Sequence, residues 1–121
     1  MQRLANILVG FVAFEHFGFL VLEMFFWTKP YGLETFGLTQ AFADQSAALA
    51  ANQGLYNGFL AAGLILALIR GVPGPGEQLA YFILACIVVA GLYGAATAAR
   101  RILYLQAVPA LLALVAVLVG V

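Results

Sequence analysis

The sequence predicts an all-α integral membrane protein: an antiparallel bundle of four transmembrane helices, with a short interfacial helix between the first and the second. Three observations predict it. Hydrophobic residues make up 65% of the chain and charged residues only 8%, whereas about a quarter of the residues in soluble domains are charged. Four apolar runs each approach the roughly 20 residues that cross a bilayer. The breaks between these runs hold the prolines, glycines and basic residues that end helices. A soluble protein of this size would expose apolar patches that aggregate, whereas a bilayer solvates them.

The first run extends from about Leu4 to Trp27 and stops at Thr28-Lys29-Pro30-Tyr31-Gly32. The second extends from about Leu49 to Ile69 and stops at Arg70-Gly71-Val72-Pro73-Gly74-Pro75-Gly76. The third covers about Gln78 to Ala99, and after Arg100-Arg101 the fourth covers about Ile102 to Val121. The two short connections force antiparallel neighbours. At 121 residues the chain forms a single domain. Thr39 is placed to cap a helix beginning at Gln40, where Ala41, Phe42, Ala48 and Leu49 alternate with Gln40, Asp44, Gln45 and Ser46. This pattern predicts an amphipathic turn or two at the interface over residues 40–48. Extension of the second helix into water is the alternative. Trp27, Tyr31 and Phe36 suit an aromatic belt nearby.

Arg3 before the first run imitates a secretory leader, but Glu15, His16 and Glu23 inside the run, and its length, argue against one. Orientation is poorly specified: Arg3 and Arg70 fall on one side, and Lys29, Arg100 and Arg101 on the other. Five basic and five acidic residues leave no net charge, so the partner is the lipid bilayer and not a nucleic acid. A single cysteine, Cys86, excludes an internal disulfide and a cysteine metal cluster. His16 is the only histidine, and one helix cannot supply a full ligand set, so no metal is expected. Phosphate-binding loops, nucleophile elbows and zinc-binding helices are all absent from the sequence, and no cofactor is expected.

Ionisable groups inside a spanning helix cost a few kcal/mol each on insertion scales. Glu15 lies eleven residues beyond Leu4, roughly mid-membrane at about 1.5 Å per residue. Glu23 points between the directions of Glu15 and His16, about two turns further along. The three should face the bundle interior, where hydrocarbon favours the neutral form of a carboxyl, as a proton-coupled site requires. The bland alternative is a hydrogen-bonded structural cluster. Early in the second run, Asn52, Gln53, Tyr56 and Asn57 occupy a stripe of about 140°. Beside it Gly54, Gly58 and Ala62 repeat at the small-xxx-small spacing of close helix packing, within the chain or in a homodimer through the Gly54/Gly58 face. The third run adds Tyr93 and Thr97; the fourth adds Gln106, one turn before Pro109, which frees a backbone carbonyl. In an up-and-down bundle Glu23, Asn52, Gln53, Tyr56, Asn57, Tyr93, Thr97 and Gln106 share one half of the bilayer. The expectation is a polar pocket with Glu15 and His16 at its floor, serving as a ligand or proton site.

Glu23-Met24-Phe25-Phe26-Trp27, Phe36-Gly37-Leu38 and the run from Ala51 to Gly63, with Tyr93-Gly94 and Gln106 to Pro109, resemble the bacterial membrane proteins of domain of unknown function family 1304. The resemblance covers nearly the whole chain. It implies a small four-helix protein of the bacterial cytoplasmic (inner) membrane, and it brings no activity or catalytic residue with it. The architecture is also similar to that of small multidrug transporters, with a glutamate midway along helix one, although His16, Glu23 and Asn57 depart from that pattern.

The leading functional expectation is a proton-linked transporter or permeation protein for a small cationic or polar substrate. Two alternatives stand beside it. One is a membrane-embedded enzyme acting on a lipid or isoprenoid-like substrate, with a glutamate and His16 as acid and base. The other is an accessory subunit whose polar cluster is structural.

Overall fold

The computed structural model describes residues 3–98 and 100–121, and among them it is 86% helical with no strand. Helix α1 spans Arg3–Phe25, α2 Pro30–Phe36, α3 Gln40–Arg70 and α4 Glu77–Thr97; a π-helical turn, Leu103–Ala107, leads into α5, Val108–Val119. Helices α1, α3 and α4, with 23, 31 and 21 residues, are long and apolar enough to cross a membrane. The fourth apolar segment, Leu103–Val119, is shorter. The third helix ends at Thr97, and its expected end at Ala99 lies outside the described residues.

The short helix is not where the sequence pattern placed it. Residues 40–48 belong to α3, which runs unbroken to Arg70. Nothing between Thr39 and Gly54 interrupts the helix, and alanine is the best helix former. Thr39 caps the start as expected, its hydroxyl accepting the Phe42 N–H at 3.1 Å. The separate short helix is α2, beginning at Pro30. Pro30 ends the first apolar run, and it also opens a helix well, because it lacks an N–H that would go unpaired in the first turn. Gly37 closes α2 in the left-handed conformation at φ 65°, with Leu38 N–H donating to the Leu33 carbonyl at 2.9 Å.

The chain divides into two compact units. The first holds residues 3–13 of α1 and residues 62–121. Its helical segments are antiparallel neighbours. The Leu4 N–H donates to the Val121 carbonyl at 3.0 Å, Gly10 faces Leu68, and Gly63 lies against Ile83. Small residues set the spacing, since Ala5, Ala67, Ala80, Ala107, Ala110, Ala113 and Ala116 are all buried. Apolar helices associate by such close approach. A Cβ added at Gly91 would come within 2.8 Å of Ala107, so α4 and the start of the last helical segment touch backbone to backbone. The turn between α3 and α4 needs Gly71 at φ 113° and Gly74 at φ 137°, conformations that a side chain would strain.

Pro109 accounts for the π-helical turn. Lacking an N–H, it cannot bond back to Leu105, and one widened turn absorbs the mismatch, closed by the Val108 N–H on the Leu103 carbonyl. The disturbance expected near Gln106 is therefore an inserted π turn, with Gln106 half-buried inside it.

The second unit, residues 14–61, holds the rest of α1, all of α2 and the start of α3. Its turn region is tied by side chains. Trp27 Nε1–H donates to Ser46 Oγ at 3.0 Å, and that hydroxyl donates on to the Phe42 carbonyl at 2.7 Å. Gln40 Nε2 reaches the Thr28 carbonyl at 3.2 Å and Asp44 at 2.9 Å. Trp27 also packs on Phe36 with ring centroids 5.0 Å apart, and buried Gly32 leaves room for the Phe26 carbonyl.

Candidate polar site on helices α1 and α3

Within the second unit α1 and α3 run antiparallel, and the spacing of two glycines lets them approach closely. A Cβ at Gly54 would come within 2.9 Å of Met24 Cγ, 3.0 Å of Glu23 Cβ and 3.2 Å of the Leu20 carbonyl. Gly58 accommodates the Leu20 side chain. Gly54 and Gly58 of the small-residue stripe thus lie against α1 within the chain, whereas Ala62 is exposed.

Asn57 sits between these glycines, one turn after Gly54 and one residue before Gly58. The close approach brings its amide onto α1, where Asn57 Nδ2 donates to Glu23 Oε1 at 2.5 Å. Asn57 is only 7% exposed and Glu23 is half-buried. Neither Glu23 nor Glu15 is paired with a lysine or arginine among the described residues.

Eight residues before Glu23, Glu15 is half-buried, and its Oε1 is buried with no hydrogen-bond donor among the described residues. His16 is fully buried, its ring edge-on to Phe19 with centroids 5.2 Å apart. A buried carboxyl oxygen without a donor costs about 1–3 kcal/mol. That oxygen calls for a proton of its own or for a ligand that supplies positive charge or a donor.

The rest of the expected site is arranged differently. The 140° stripe on α3 divides: Asn57 turns inward, while Asn52, Gln53 and Tyr56 stay exposed, with Tyr56 packing on Phe59. The division follows from angle. Asn57 lies at the edge of the stripe next to Gly54 and Ala61, both buried, and the other three point progressively away. Tyr93, Thr97 and Gln106 belong to the first unit. There Tyr93 is 71% exposed, and the exposed Thr97 hydroxyl donates to the Tyr93 carbonyl at 2.7 Å.

Leu20 and Met24, neighbours of the site, carry no polar mark in the sequence; their i,i+4 spacing on α1, which puts both on the side that meets Gly54, was the available signal. No group of three or more His, Cys, Asp or Glu side chains gathers to hold a metal among the described residues. The outer face of α1 also carries an open apolar groove lined by Phe14, Phe17, Gly18, Val21, Phe26 and Tyr31, among others.

The sequence model of the family described as "Protein of unknown function (DUF1304)" matches residues 10–118, so the chain belongs to that family. No curated protein and no solved structure matches the chain.

Proposed function

For this member of the DUF1304 family, we propose a multi-pass protein of the bacterial cytoplasmic membrane that uses Glu23, with Glu15 and His16, as a proton-linked binding site for a small cationic or polar substrate. Three helices of spanning length support the embedding. The 17 residues of Leu103–Val119 reach about 26 Å, the lower end of what a bilayer requires, and supply the fourth span.

The observation that carries the reading is the Asn57–Glu23 pair. A lysine or arginine beside Glu23 would fix it as a carboxylate, because removing one partner of a buried ion pair is costly. An amide imposes no such choice. It can donate to a carboxylate oxygen or to the carbonyl oxygen of the neutral acid. The side chain is therefore held in place through proton loss and gain, while the remaining oxygen is free for a proton or a cation. Glu15, about 12 Å along the same helix, offers a second carboxyl with an oxygen in need of a donor. Intramembrane ionisable residues of this kind mark ion and proton sites.

The test is infrared difference spectroscopy on the protein in lipid, following the carboxyl bands of wild type, Glu15→Gln and Glu23→Gln between pH 5 and 9. The reading requires a band lost in Glu23→Gln that titrates in this range and shifts when an organic cation is added. Absence of any titrating carboxyl, or a band indifferent to every cation tried, would sink it.

A further inference from the structure

Helix α3 is longer than a membrane needs. Its 31 residues extend about 46 Å against a hydrocarbon core of about 30 Å. With Arg70 at one boundary, the first ten or so residues project beyond the other. Leu49, 75% exposed, and Phe42, 53% exposed, lie on this projection or at its base, where lipid tails do not cover them.

These two belong to a regular seam. Phe42, Gln45, Leu49, Asn52, Tyr56 and Phe59 follow one another at steps of three, four, three, four and three residues, and all six are exposed. Alternating steps of three and four keep side chains on a single line along a helix, the a and d pattern by which two helices pair. The next position in the series, Gly63, is occupied within the chain by Ile83, so the open seam ends there.

From this seam we infer that α3 pairs with α3 of a second copy of the chain, forming a parallel two-fold dimer along Phe42 to Phe59. The occupant follows from the chemistry of the stripe. It holds no charge, so two copies do not repel. Its polar members, Gln45, Asn52 and Tyr56, each carry both a donor and an acceptor, so identical residues facing one another across a two-fold axis satisfy each other. A single asparagine within such a seam fixes register and favours the paired state. Gly54 and Gly58 already face α1, so the dimer uses a different side of α3. The parallel direction rests on the membrane embedding proposed above, because copies inserted the same way share an axis along the membrane normal. The dimer itself does not depend on Glu23.

Disulfide cross-linking of the full chain in native membranes tests this. Single cysteines are placed at every position from 42 to 59 in a Cys86→Ala background. The expected result is cross-linked dimer peaking at 45, 49, 52 and 56, with little at Gln53→Cys and Leu55→Cys, which are also exposed and at the same depth but lie off the line. Asn52→Lys should weaken self-association by about tenfold or more by placing like charges opposite each other, whereas Gln53→Lys should leave it unchanged. Uniform cross-linking without the three-and-four period, a purely monomeric mass in lipid, or cross-links only to a different protein would each overturn the dimer. Because none of the variants at 45, 49, 52, 53, 55 and 56 changes Glu23, Gly54 or Asn57, a failed dimer leaves the carboxyl titration unaffected, and the reverse also holds.

Discussion

Asn57 on α3 and Glu23 on α1, 34 residues apart in sequence, are joined by a side-chain hydrogen bond of 2.5 Å, and Gly54 is what makes it reachable. With any side chain at position 54, the backbone of α3 could not lie this close to Leu20, Glu23 and Met24. The polar contact and the glycine are one device: the glycine sets the separation and the amide uses it.

Removing the amide should separate structure from chemistry. Asn57→Leu leaves the Glu23 carboxyl without its donor and is expected to cost about 1–3 kcal/mol, seen as a lowered unfolding midpoint in detergent. Glu23→Gln retains an acceptor oxygen for Asn57 and should stay near wild-type stability while losing its titrating infrared band. Equal destabilisation by both variants would show that the pair needs the acid itself.

Gly54→Val should force α1 and α3 apart and lower stability by about 1–3 kcal/mol, the usual cost of overpacking. Gly18→Ala is the control. Nothing lies within 4 Å of the added carbon, and alanine in place of glycine inside a helix is favourable by up to about 1 kcal/mol. Thermal unfolding of the two variants side by side should move in opposite directions.

Trp27 is the only tryptophan, so its fluorescence reports directly on the turn region. Ser46→Ala removes the oxygen that accepts the indole N–H. The emission maximum should shift, with a stability loss of about 0.5–1.5 kcal/mol. In the Trp27→Phe background the same serine change should cost measurably less, as a double-mutant cycle would record.

Gly91→Val tests the packing of the last helical segment. A side chain there meets Ala107 at both backbone and Cβ, so α4 and the π-helical turn must separate. Hydrogen exchange should quicken in residues 103–107 and stay unchanged at Trp27, in the other unit.

The helices and their chemistry were legible in the residue order. Apolar runs broken by Pro, Gly and Arg gave an all-α chain with spanning-length helices, because burial of a long apolar run leaves helix as the structure that satisfies its own backbone. Glu15, His16, Glu23 and Asn57 stood out because a polar group in such a run is costly. Thr39 marked the start of α3 through its hydroxyl. The family was legible in local residue runs. Tertiary structure alone decided the rest. That residues 40–48 dock on the preceding turn, through Gln40 on the Thr28 carbonyl and Ser46 on Trp27, is a contact that no periodicity records. Which of Asn52, Gln53, Tyr56 and Asn57 turns inward depended on where α1 lies, and that was set by Gly54 and Gly58. A helical projection gives the angles between side chains, but the direction of the neighbouring helix comes only from packing.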